Sequence, residues 1–112
     1  MSEEDVATAV LDAPAQHRFE VRVGAELAGF TEYVDRDNQR IFFHTEIGEQ
    51  YGGRGLASRL IRDALTETVS RGKRIVPICP VVAGFLEKHD DFAADVDPVT
   101  PEARQAVLDA RT

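Results

Sequence analysis

The sequence predicts a mixed α/β fold of the α+β kind, a mostly antiparallel sheet with one long helix after a glycine-rich loop, and three observations carry that expectation. Phe19, Val21 and Val23 alternate with Arg18, Glu20 and Arg22, the period-two pattern of a strand with one wet face. Four glycines fall within residues 48–55. Directly after them Leu56, Leu60, Ile61, Ala64, Leu65 and Val69 lie on one helical stripe, opposite Arg59, Arg62, Asp63, Thr66 and Glu67.

The elements follow in order. Residues 1–16 are acidic and Ala-rich with little periodicity, so they are expected to form a flexible lead-in outside a single domain at 17–112. Residues 18–23 form the first strand, Gly24, Ala25 and Glu26 a turn, and 27–34 the second strand. The polar cluster Asp35, Arg36, Asp37, Asn38 and Gln39 reads as a hairpin loop into a third strand at 40–47, which completes an antiparallel meander. The long helix stops where Gly72 can take the left-handed conformation, and Lys73 and Arg74 suit its negative end. Residues 74–79 are short and apolar, closed by Pro80, and form a fourth strand; Pro77 removes a ladder donor and places it at an edge, a splay or a bulge. A short helix at 81–89 is weakened by Gly84, and Pro101 opens a last helix at 101–111.

Composition narrows the function classes. A chain of 112 residues supports one core, and 20 Asp and Glu against 13 Lys and Arg give a net charge of -7. That balance opposes attraction to phosphate backbones and anionic lipid, so neither nucleic acid nor membrane is an expected partner. The one cysteine, Cys79, excludes an intramolecular disulfide, and no His/Cys cluster has the ligand count of a structural metal site. Without a signal-peptide pattern or an apolar run of about 18 residues, a cytoplasmic protein is expected.

Between strand and helix, residues without a β-carbon let a ligand approach the backbone, and the unpaired N–H groups of the first helical turn attract an anion. A P-loop is excluded because Arg54 and Gly55 stand where its Lys and Ser/Thr belong. A Rossmann fingerprint fails at Ser58 and in topology. The pattern that does match is Gln/Arg-x-x-Gly-x-Gly/Ala, filled by Gln50, Gly53 and Gly55.

That pattern resembles the acetyl-coenzyme A signature of the GNAT superfamily of N-acetyltransferases, and the element order over 18–92 is similar to a GNAT core. With the His44, Thr45, Glu46 and Val76, Pro77, Ile78, Cys79, Pro80 segments it resembles a small, minimal GNAT-like subfamily. The resemblance implies that backbone amides of Tyr51, Gly52, Gly53, Arg54, Gly55 and Leu56 bind the pyrophosphate of acetyl-CoA, with Glu46 and Ile47 along its pantetheine arm. Six basic residues between Arg54 and Arg74, against Asp63 and Glu67, make this stretch locally positive in an acidic chain. Arg54, and next to it Arg59, are the candidate phosphate partners.

Direct acetylation needs a neutral amine, and deprotonating a lysine-like amine at pH 7 costs about 4.6 kcal/mol. On the third strand Phe42, His44 and Glu46 are expected to share one face by alternation. Histidine exchanges its proton near physiological pH, so His44 is a candidate base, with Glu46 supporting it or serving itself. Cys79 is the alternative, either a nucleophile that accepts the acetyl group or a thiol that protonates departing coenzyme A. The superfamily often carries a tyrosine in the helix after the fourth strand, where this sequence has Phe85, and two helices between its first strands, where this sequence has short turns. The expected acceptor is an amine-bearing small molecule or protein. Two readings stay open: an N-acetyltransferase, and a non-catalytic coenzyme A-binding or regulatory module.

Overall fold

The computed structural model describes residues 7–111. Five strands form one sheet in sequential order: β1 (Thr8–Ala13), β2 (Arg18–Val23), β3 (Glu26–Arg36), β4 (Gln39–Ile47) and β5 (Arg74–Pro77). The first four are antiparallel neighbours, whereas β5 runs parallel to β4, from Gln39 opposite Arg74 to Phe42 opposite Pro77. The helices are α1 (Leu56–Ser70), α2 (Pro80–Lys88) and α3 (Pro101–Arg111).

One face of the sheet carries Phe19, Val21, Tyr33 and Phe42, which pack with Leu60, Ile61 and Leu65 of α1 and Val82 and Phe85 of α2. The other face is closed at one end by α3, whose Ala103 and Val107 cover Ile41 and Val76. α1 ends as its sequence suggests. Gly72 has φ 75°, its N–H donates to Val69, and the Lys73 N–H donates to Thr68, which satisfies the last helical carbonyls. The Lys73 and Arg74 side chains pair with Asp35 and Asp97, and the α1 cap is made by backbone N–H groups.

The lead-in expected over 1–16 is corrected from residue 8 onward; residues 1–6 lie outside the described residues. β1 pairs with β2 from Thr8 opposite Val23 to Ala13 opposite Arg18. Its side chains explain why an unpatterned segment becomes a strand: Val10 packs on the α1-side core, and Asp12 accepts a 2.6 Å hydrogen bond from the Tyr33 hydroxyl. The reversal into β2 is a single 3₁₀ turn, Pro14–Gln16, closed by His17 at φ 55°. The strand expected over 74–79 stops at Pro77 and forms the sheet edge, one of the placements that Pro77 allowed.

A further correction concerns β4. Its register on β3 shifts between Glu32 opposite His44 and Tyr33 opposite Phe42, so Phe43 is an extra residue, a β-bulge. An inserted residue moves everything beyond it to the other face. Phe42 therefore enters the α1-side core, while His44 and Glu46 emerge on the opposite face, where His44 lies 6.2 Å from the Phe30 ring. The expected shared face of Phe42 with His44 is not formed; that of His44 with Glu46 is.

The same outer face holds Glu20, which is 5% exposed and bonded by Arg18 and Arg22. Burial pushes its carboxyl pKa up, but the two guanidinium hydrogen bonds outweigh this and hold it below the ordinary carboxylate range. Asp35 is lowered in the same way, its burial outweighed by Arg40. A depressed folded-state pKa stabilises fully above the unfolded value of about 4 and loses that contribution as pH falls through the lower folded value. The urea midpoint is expected to hold steady down to about pH 5 and to fall below about pH 4, with a shallower fall in Glu20→Gln. An unchanged acid slope in that variant counts against the Glu20 network as its source.

Candidate functional site

Beyond Ile47 the chain turns once as a 3₁₀ helix, Glu49–Tyr51, tied to β3 by the Gly48 N–H donating to Ala28. The Tyr51 ring is buried, and its hydroxyl donates to Glu26 at 2.5 Å, which anchors the turn to the sheet. Gln50, Gly52, Gly53, Arg54 and Gly55 stand exposed beyond this anchor, while Leu56 is buried as the first residue of α1. Gly53 and Gly55 have φ 79° and 74°. A β-carbon at either would meet nothing within 4 Å, so it is the left-handed backbone and not crowding that calls for glycine.

Gly55 begins α1 with no side-chain cap, and no acidic residue occupies the first turn. Its leading N–H groups are left for an outside acceptor, aided by the positive end of the helix dipole. The Arg54 guanidinium sits 5.6 Å over the Tyr51 ring beside them. The rest of the local positive charge is committed elsewhere. Arg59 pairs with Asp63 and bonds the Thr8 carbonyl, Arg62 pairs with Asp91, and Arg71 with Glu67. Of the basic stretch read from sequence, Arg54 is the member placed on the glycine loop.

A cleft of about 240 Å³ opens between α1 and α2 beside this turn, lined by Ala57, Ser58, Ile61, Pro80, Val81, Gly84 and Lys88 among others. Sequence reasoning missed it, although two signals were present. Gly84 sits inside a helix with open space where its β-carbon would be, and Val81 is 42% exposed. Only the packing of α2 beside α1 turns both into cleft walls.

β4 and β5 separate where the bulge and Pro77 coincide. Their pairing ends at Phe42 and Pro77, and the Cys79 N–H makes a last bond to the Phe42 carbonyl. In an antiparallel ladder only alternate residues exchange bonds with one neighbour, so part of the β4 backbone beyond Phe42 faces a gap that β5 has left. This gap leads along Glu46 and Ile47 towards the glycine loop.

The three candidate catalytic residues divide between the faces. His44 Nε2 lies 3.1 Å from Glu46 Oε1, both exposed on the outer face. Cys79 is on the α1 side and 2% exposed; its Sγ shares a 3.3 Å hydrogen bond with the Thr45 hydroxyl, which shares another at 2.9 Å with Thr31. The structure joins His44 to Glu46 and separates both from Cys79. Thr45 was missed because alternation gives its face but not its partner, which comes from 34 residues away.

The family model of the GCN5-related N-acetyl-transferases matches residues 18–96. The chain belongs to that family. The NMR structure of a GCN5-like protein from Staphylococcus aureus shares the fold with a TM-score of 0.60, covering 90% of this chain and 95% of that one at 18% identity. No curated protein sequence matches the chain. Within this GCN5-related N-acetyltransferase chain, β1 and α3 lie outside the matched residues. No described helix is long and apolar enough to cross a membrane.

Burial of Cys79 makes a measurable prediction. Ellman's reagent is expected to leave the native thiol unmodified for as long as the fold holds and to titrate one thiol in denaturant. Rapid labelling of the native protein would mean that Cys79 is open to an acyl donor.

Proposed function

We propose that this GCN5-related protein uses acetyl-CoA to acetylate a primary amine by direct transfer, with His44 as the base and Glu46 orienting it. The observation that carries the reading is the convergence of three features on one end of β4: the uncapped start of α1 at Gly55, the gap between β4 and β5, and the His44–Glu46 pair at 3.1 Å. Each fits a different part of an acetyl-transfer reaction.

The residues present suit acetyl-CoA. The Tyr51 and Gly52 N–H groups, expected as pyrophosphate donors, already donate to the Gly48 and Glu49 carbonyls inside the 3₁₀ turn, so the donors left are those of 53–56, with positive φ at Gly53 and Gly55; Arg54 adds a cation, and the pyrophosphate would lie there. The gap beside Glu46 and Ile47 has the extended backbone that an amide-bearing pantetheine arm can follow. When bound, the donor supplies an acetyl group activated as a thioester. His44 takes the proton that the amine must lose, directly or through water, and Glu46 holds the imidazole by its Nε2. The balance is one C–N bond formed and one C–S bond broken; the thiolate leaves with the electron pair and takes a proton from solvent.

Transfer through Cys79 fits less well, because its sulfur faces the core and is bonded to Thr45. A second reading, coenzyme A binding without turnover, is favoured by Phe85, which fills the place of the superfamily's phenolic acid and is itself buried. Turnover separates the two.

Coenzyme A is expected to raise the melting temperature of the wild type. Gly53→Glu should abolish that shift, since it strains the left-handed backbone and sets a carboxylate at the anion site. His44→Ala should keep the shift while lowering kcat for amine acetylation by about 10²-fold or more. An intact coenzyme A shift in Gly53→Glu rejects the loop assignment. A shift without acetylation of any amine by the wild type leaves the binding module as the function.

A further inference from the structure

We infer that the acceptor end of this site continues into a recess beneath the last turn of α3 and takes a monoamine with an apolar or aromatic body; this rests on the N-acetyltransferase reading. The recess holds about 440 Å³ and is lined by Glu32, Val34, Phe43, Ala110, Arg111 and His17, among others. It opens on the outer face of the sheet, the face that carries His44.

Glu32 connects the recess to the base. It stands directly opposite His44 in the β3–β4 register, which places the two β-carbons about 5 Å apart. Glu32 is half-buried and has no hydrogen-bond or ion-pair partner among the described residues. Arg18, its opposite number on β2, is engaged by Glu20 and lies over the Phe30 ring. The Glu32 carboxylate is not among the buried polar atoms that lack a partner, so it reaches solvent and is free to pair with an ammonium group. Held there, the amine nitrogen would sit beside His44.

One wall of the recess is apolar, facing a polar side made by Gln16, His17 and Asp35. Phe43 is available to it because the bulge leaves this ring half-buried on the α3 side rather than in the main core. Val34 and Ala110 complete the apolar wall, and the Arg111 guanidinium lies 5.7 Å from the Phe43 ring at the far end. A second cationic group on the acceptor would meet Arg111, and the other carboxylate of the lining, Asp35, is already held by Arg40 and Lys73, so diamines and polyamines are disfavoured while a single ammonium on a hydrocarbon or aromatic body is accommodated. α3 lies outside the residues that the family model matches, so this wall is an addition to the matched core.

The test uses phenethylamine, methylamine, putrescine and the neutral phenethyl alcohol. In a ¹H–¹⁵N NMR titration of the full chain, phenethylamine should shift the amides of Val34, Phe43 and Ala110, and Glu32→Gln should weaken phenethylamine binding about tenfold while sparing phenethyl alcohol. Ala110→Trp, which fills the recess from an exposed position, should keep the coenzyme A thermal shift and lower kcat/KM for phenethylamine relative to methylamine about tenfold. Putrescine should be a poorer substrate than phenethylamine. Amide shifts confined to other residues, an unaltered phenethylamine-to-methylamine ratio in Ala110→Trp, or a preference for putrescine would each overturn the inference. If no amine is acetylated, the transferase reading falls, and the titration alone then decides whether the recess binds the amine.

Discussion

β4 cannot stay paired with β5 along its whole length, and most of the molecule is arranged around that separation. Phe43 adds a residue on the β3 side of the strand, and Pro77 ends β5 with a residue that has no amide hydrogen to donate. The parallel pairing therefore spans only 39–42 opposite 74–77, closed by the Cys79 amide on the Phe42 carbonyl. Had the bulge been absent, His44 and Glu46 would point into the α1-side core and Thr45 out of it. One inserted residue thus sorts which side chains are available for chemistry and which are available for packing.

The glycine loop depends on what lies on either side of it. Tyr51 bonds Glu26 on β3, and Leu60, Ile61, Ala64 and Leu65 bury one face of α1 against the sheet. Burying a large aliphatic side chain contributes on the order of 2 kcal/mol, far more than the conformational preference lost by holding Gly53 and Gly55 left-handed. The loop is therefore held from both ends while its middle stays open. Ion pairing sharpens the contrast, because Arg59 and Arg62 on α1 and Arg71, Lys73 and Arg74 after it each face an acid, so these cations answer to the fold rather than to a ligand.

The two faces of the sheet carry different tasks. On the α1 side Cys79, Thr45 and Thr31 form a short hydrogen-bonded line that belongs to the packed interior. On the outer side Phe30, Glu32, His44 and Glu46 stand where no helix covers the strands, bordered by α3. Two elements outside the family match set the boundaries: β1 extends the sheet beyond β2, and α3 closes one end of the outer face.

Much of this is legible in the chain before it folds. Period-two alternation locates β2, the polar cluster at 35–39 marks where β4 begins, the apolar stripe locates α1, and Gly72 its end, because these patterns are local and each needs only its own residues to be recognised. The glycine pattern around Gln50, Gly53 and Gly55 likewise names its loop, since left-handed backbone restricts residue choice directly. β1 is a strand only because β2 pairs with it and Tyr33 bonds Asp12, and nothing in residues 8–13 alone demands that. The Phe43 bulge, the separation of Cys79 from His44, the cleft at Gly84 and the pairing of Arg62 with Asp91 likewise belong to the tertiary structure. Local pattern determines which segments become helix and strand; register and packing, set by residues far apart in sequence, decide which face each side chain occupies and what it meets there.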